Sequence, residues 1–197
     1  MHKLNTARRH FLQGSTGLWT GVLLANLAAS PRAWANEALA RIWQREGGVL
    51  LVRHATTESG LGDPPGFVLG QCQTQRNLSE QGRQESRDLG RWMQAQPVKP
   101  DAVLSSQWCR CQDTARLAFG AYEDWPALNS TFAGQGDPAA QQQALRERLS
   151  ALPAGRTEVW VTHQVNMTGL TGAYPEMGEA FLVDAQGRLK ARGRVAA

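Results

Sequence analysis

Three short apolar runs constrain this chain more than any other feature: VLLVRH at 49–54, DAVLSS at 101–106 and TEVWVTH at 157–163. Each is too short for a buried helix and runs without alternation, as strands covered on both faces do. Helical spacing fills the intervals. In LSEQGRQESRDLGRWMQ (78–94), Ser79 is a candidate N-cap, Leu89, Trp92 and Met93 share a face, and Pro97 and Pro100 follow. QWCRCQDTARLAFG closes at Gly120, and DPAAQQQALRERLSAL turns Ala144, Leu145, Leu149 and Leu152 inward. QVNMTGLTG forms a short helix after the third run, and EAFLVDAQGRLKARG reads as a hairpin about residues 185–187. Strands alternating with helices give an α/β fold, a three-layer α/β/α sandwich with a mostly parallel central sheet.

In such a sheet, ligands bind just beyond the carboxyl ends of the strands. The first run ends in Arg53 and His54, the third in His163, and Arg110 opens the helix after the second. With neighbouring strands about 4.8 Å apart, these groups converge on one cleft. Two histidines and two arginines in one cleft repel one another unless an anion joins them. Arginine presents a planar fork that suits phosphate oxygens, and its charge biases a nearby histidine toward the neutral, nucleophilic imidazole. Together these point to phosphoryl transfer through a covalent histidine intermediate.

The N-terminus reads as a targeting segment. Residues 6–14, TARRHFLQG, pair Arg8 with Arg9 ahead of Phe11 and Leu12. A short apolar run interrupted by Gly, Thr and Asn follows, then small residues at Ala33 and Ala35. This order matches a cleavable export signal of twin-arginine type over residues 1–35, with the mature domain at 36–197. The apolar run falls short of the roughly 20 residues of a spanning helix, so no stable membrane span is expected after cleavage. Location is then periplasmic, and the export partner is the twin-arginine machinery. The 21 Lys and Arg include Lys3, Arg8, Arg9 and Arg32 of the signal, where no acid lies. Removing those four leaves 17 bases against 17 acids, so the basic balance gives no ground for a nucleic-acid partner.

Cys72, Cys109 and Cys111 do not have zinc-site spacing, and neither metal nor cofactor is expected. Two readings stand: one disulfide with a leftover thiol in an oxidising compartment, or three buried thiols packing as small apolar groups. If Cys72 pairs, helical geometry sets Cys109 and Cys111 about 200° apart, so at most one faces it. The loop at 61–77, rich in Gly and Pro, is long enough to be functional.

In order, VRHATT, RNLSEQG, SSQWCRCQDTA and VTHQ resemble the motifs of the histidine phosphatase superfamily, which includes cofactor-dependent phosphoglycerate mutase. The resemblance implies that His54 is the phosphorylated nucleophile. It implies that Arg53, Arg110 and His163 stabilise the phosphoryl group, and that Thr57 helps to bind it. Departures are visible. Ala55 stands where the family has Gly after the nucleophile. Leu128, Asn129 and Ser130 stand where a mutase-like branch has a Leu-x-Glu acid, and Gln164 where another branch has Asp. The general acid is therefore expected elsewhere, at Asp63 in GLGDPPG, with Glu58 and Asp137 as alternatives. The expected activity is hydrolysis of a small-molecule, sugar or envelope-component phosphate ester. The alternative is a phosphate-binding or sensing protein with little turnover; mutase action lacks both its acid and a cap-like insertion.

Overall fold

The computed structural model describes residues 31–194. Helix α1 (Pro31–Glu46) leads into strand β1 (Gly48–Arg53); then follow α2 (Glu80–Ala95), β2 (Ala102–Ser105), α3 (Cys109–Phe119) and the two-residue β3 (Glu123–Asp124). Helix α4 (Pro138–Ala151), β4 (Thr157–Thr162), α5 (Gln164–Thr171), β5 (Glu179–Val183) and β6 (Leu189–Arg194) complete the described chain. One sheet holds all six strands in the order β3-β2-β4-β1-β5-β6. β1, β2, β3 and β4 are parallel, while β5 and β6 form an antiparallel edge beside β1.

Alternation along the strands builds two cores. Leu50, Val52, Val159 and Val161 face α1, α2 and α3 through Leu39, Trp43, Leu89, Met93 and Ala115. Val49, Leu51, Leu104, Trp160 and Phe181 face α4 and α5 through Leu145, Leu149, Met167 and Leu170. This is the three-layer α/β/α arrangement. The caps follow local chemistry: Ser79 Oγ accepts from Gly82 N at 3.1 Å, and Gly120 takes φ 79 after α3. The 185–187 turn joins β5 to β6, with Gly187 at φ 74.

Helix α1 is the element that sequence patterning did not anticipate. Its Leu39 and Trp43 are fully buried, and Asn36 Nδ2 donates to Arg194 O at 3.1 Å. The expected signal boundary at residue 36 falls within α1, and residues 1–30 of the expected export signal lie outside the described residues. No helix among the described residues is long and apolar enough to cross a membrane.

Candidate active site

Sheet register brings the strand-end residues together. Arg53 pairs with Thr162 across β1 and β4, and His54 N extends the ladder by donating to Thr162 O at 3.0 Å. His54 and His163 therefore leave adjacent parallel strands side by side, with ring centroids 5.4 Å apart. On the other side of β4, Ser106 N donates to Val161 O at 2.9 Å, so β2 ends at the same edge. Three residues after Ser106, α3 begins at Cys109, and Arg110, in its first turn, reaches the same place. Arg53, His54, Arg110 and His163 line one cavity of about 150 Å³.

His54 is buried, and its Nδ1 lies 2.9 Å from the Ala55 carbonyl. A carbonyl only accepts, so Nδ1 carries the hydrogen in the neutral ring and the Nε2 lone pair is free. Burial drives the His54 pKa well below 6.5; the Arg110 charge adds to this, the Ala55 bond opposes it, and Arg53 and Arg76 contribute further. The imidazole is neutral at physiological pH, as a nucleophile must be.

His163 is fixed by a second network. Its Nε2 is 2.8 Å from Ser106 Oγ, which lies 3.1 Å from Asn129 Oδ1. That Oδ1 also accepts from Gln107 N at 2.8 Å. The single Ser106 hydroxyl proton thus goes to Asn129, and Nε2–H of His163 donates to Ser106. Burial and then the charge of Arg110 lower the His163 pKa well below 6.5, and a proton on neighbouring His54 would lower it further.

A third arginine completes the cavity wall. Arg76 comes from the end of the 61–77 loop, held by its Nη1 donating to Gly60 O at 2.6 Å. Burial and then the charge of Arg110 depress its pKa. Arg53 Nη1 donates to Pro175 O at 2.8 Å, and Arg110 Nη1 to Asp63 Oδ1 at 2.7 Å. The Nε of Arg53, Arg76 and Arg110 are all buried without a hydrogen-bond partner among the described residues. Three guanidiniums, each with a sealed, unmatched donor, face two neutral histidines across a cavity whose described lining contains no carboxylate. The arrangement suits a multiply charged oxyanion. Among the described residues, no three His, Cys, Asp or Glu side chains gather as metal ligands.

Two expected site residues are placed differently. Asp63 was the expected acid, but Oδ1 accepts from Arg110 and from Arg76 N at 3.0 Å, and Oδ2 accepts from Trp108 Nε1 at 3.0 Å. Burial alone would raise its pKa, yet the Arg110 hydrogen bond and charge, the Arg76 amide and the Trp108 indole outweigh it and hold the carboxyl below its ordinary value. So held, it carries no proton to give, and its place is behind Arg110. Thr57 was the expected phosphate-binding hydroxyl, but it lies outside the cavity lining. Its Oγ1 donates to Met177 Sδ at 3.7 Å, and its backbone bridges to Leu78. Of the alternatives, Asp137 caps α4 by accepting from Ala139 N and Ala140 N, and exposed Glu58 does not line the cavity.

Sequence patterning missed Arg76, Asn129 and Ser130. Arg76 had one signal, an isolated arginine closing the long loop just before the Ser79 cap. Ser130 lines the cavity where the mutase-like branch has its glutamate, and Asn129 beside it orients Ser106. Cys72 pairs with Cys109, pinning the 61–77 loop to the start of α3, while Cys111 is a free buried thiol whose pKa burial pushes up to about 12.

Residues 49–147 match the family model described as histidine phosphatase superfamily (branch 1), a span holding Arg53, His54, Arg76 and Arg110. No curated protein sequence matches the chain at a significant level. Among solved structures, the chain is similar to a phosphoglycerate mutase from Thermus thermophilus, at 22% identity and a TM-score of 0.52 over 73% of this chain and 96% of that one. It is similar to an Escherichia coli K-12 protein proposed to be an alpha-ribazole-5'-P phosphatase, at 20% identity and a TM-score of 0.54 over 74% and 95%. It is also similar to the protein histidine phosphatase SixA complexed with tungstate, at 18% identity and a TM-score of 0.50 over 75% and 96%. At these identities the likeness concerns the fold.

Proposed function

Because the chain belongs to the histidine phosphatase superfamily, we propose that it is a phosphomonoesterase that works through a phosphohistidine at His54. The observation that carries this reading is the free Nε2 of a neutral His54 beside Arg53, Arg76 and Arg110. The arginines hold the phosphoryl oxygens, and their forks already face the position where transition-state charge gathers. The Nε2 lone pair attacks phosphorus, the P–O bond to the leaving group breaks, and that oxygen departs with the electron pair. With no carboxylate in the described lining, the departing oxygen takes its proton from solvent. Water then attacks the phosphohistidine, the N–P bond breaks, and a proton returns to solvent as phosphate leaves. An anion in the cavity offsets the Arg110 charge that, after burial, holds the His163 pKa down, and so shifts it back upward as substrate binds.

Without an acid, esters with acidic leaving groups react faster than simple alkyl esters. The proposed compartment is the periplasm, reached through the twin-arginine machinery. The sequence of residues 1–35 and a disulfide suited to an oxidising compartment support this. The proposed substrates are small-molecule or envelope phosphate esters. Phosphate release from an ester panel by the wild type and by His54→Ala tests the reading. Release that vanishes in His54→Ala is expected. Phosphate binding without His54-dependent release would instead make this a phosphate-binding or sensing protein.

A further inference from the structure

Past Arg110 the phosphate cavity opens into a second groove of about 270 Å³. The two share Leu61, Gly62, Arg110, Ser130 and Phe132 as lining, so the groove adjoins the place where the arginines would hold a phosphate. The groove is aromatic and proline-lined. Phe67 packs on Trp108 with centroids 5.8 Å apart, and Phe132 also lines the groove. Gly62, at φ +71, passes so near Phe132 that a Cβ there would lie 3.2 Å from its ring. Next to Phe132, Ala133 is the only non-glycine residue with positive φ among the described residues, at 58°. Such conformations persist where surrounding structure holds them, often at ligand sites. The one carboxylate in the described groove wall, Asp63, is already bonded to Arg110, Trp108 and Arg76.

The surface around the mouth agrees. The exposed large apolar side chains among the described residues are Leu61, Val68, Leu69, Phe132 and Tyr174. Leu61, Phe132 and Tyr174 line the phosphate cavity, and Val68 and Leu69 ride on the loop that carries Leu61. Apolar exposure gathered at a site marks a binding surface.

We propose that this groove receives the leaving group of the substrate, and that the leaving group is an apolar aromatic ring, making the enzyme's substrates aryl phosphate monoesters. The inference rests on the phosphatase reading above and names its substrate class. Two facts favour a ring over a chain. The lining includes Phe67, Trp108 and Phe132, against which a ring stacks or packs edge to face. An aryl oxygen also departs as a stabilised anion, which matches a cavity without a carboxylate donor in its described lining. An apolar cavity of roughly 150 Å³ admits benzene, so this groove has room for a fused pair of rings.

The test compares kcat/KM for phenyl and 2-naphthyl phosphate, whose leaving groups are close in acidity, with phosphoserine as the polar alkyl ester. In the wild type, naphthyl phosphate should exceed phenyl phosphate by about tenfold, the effect of burying roughly half of the second ring's four added carbons. Phosphoserine should be the poorest of the three. Phe132→Ser should bring the naphthyl-to-phenyl ratio close to one, and Leu61→Ser should lower it; both side chains are solvent-exposed, so neither change empties the core. Equal rates for the two aryl esters in the wild type, or a ratio that survives in both variants, would overturn the assignment. Calorimetric binding of both esters to His54→Ala separates this inference from the reading beneath it. Tighter naphthyl binding with no wild-type turnover would overturn the phosphatase reading and leave the groove in place. Equal binding of the two esters would overturn the groove.

Discussion

Replacing Asp63 with asparagine separates a carboxylate that positions Arg110 from one that delivers a proton. Both side chains are nearly sealed, Arg110 at 5% and Asp63 at 8% exposure, with 2.7 Å between Nη1 and Oδ1. Removing one member of a buried pair costs about 3–5 kcal/mol, because the remaining charge stays buried without its partner. Asparagine keeps one acceptor for Arg110. Its amide nitrogen, however, would meet the Trp108 Nε1–H that now donates to Oδ2 at 3.0 Å, leaving a buried donor unmatched at about 1–3 kcal/mol. The expected loss is about 3 kcal/mol, read as a lower urea midpoint at unchanged slope. Arg110 displaced by about 1 Å would lower kcat/KM by about 10²-fold. A positioning role predicts the same loss on 4-nitrophenyl phosphate and on an alkyl phosphate. A loss confined to the alkyl ester, whose leaving oxygen needs a proton, would refute the assignment and restore Asp63 as the general acid.

Arg76→Ala should lower kcat by about 10²–10³-fold, as removal of a preorganised donor does, and near-wild-type turnover would place Arg76 outside the site. Cys72→Ser removes a cross-link between residues 37 apart, so stability should fall by about 4 kcal/mol on the chain-entropy argument; the check is the urea midpoint with and without reductant, which should matter only for the wild type. The pH dependence of stability follows from two buried neutral histidines. Their folded pKa values lie well below 6.5, so below pH 6.5 the unfolded chain binds more protons and stability falls with pH. At pH 5.5 each should cost about 1.4 kcal/mol relative to pH 8. Denaturation of the wild type against a His54→Gln, His163→Gln double variant measures this, and parallel pH profiles would contradict it.

Much of this architecture is legible in the chain itself. Continuous apolar runs at 49–52, 102–104 and 159–161 carry strands, and polar residues at their ends mark one edge of the sheet. That rule places Arg53, His54 and His163, because each is fixed by its distance from a strand end. Arg110 follows from its place in the first turn of the helix after β2. The rule has no purchase on residues 61–77, which have no period; Arg76 gains its place from the Gly60 carbonyl and the Asp63 carboxylate within its own loop. Asp63 is a similar case, since its partner Arg110 lies 47 residues away and only tertiary packing pairs them. Helix phase decides the disulfide: Cys109 turns toward the loop, while Cys111 points inward beside Thr162 and His163. Helix α1 is hidden in the sequence because the small residues at 33 and 35 also fit a cleavage site, which overlaps the helix that buries Leu39 and Trp43.

Identification of the phosphorylated atom tests the account most directly. The wild type is mixed briefly with 4-nitrophenyl phosphate, quenched in alkali, where phosphohistidine survives, and mapped by peptide mass spectrometry. The account predicts a phosphoryl group on the peptide containing His54, attached at Nε2, lost on acid treatment and missing from His54→Ala. A phosphoryl group on any other residue, or one that persists in His54→Ala, would contradict it.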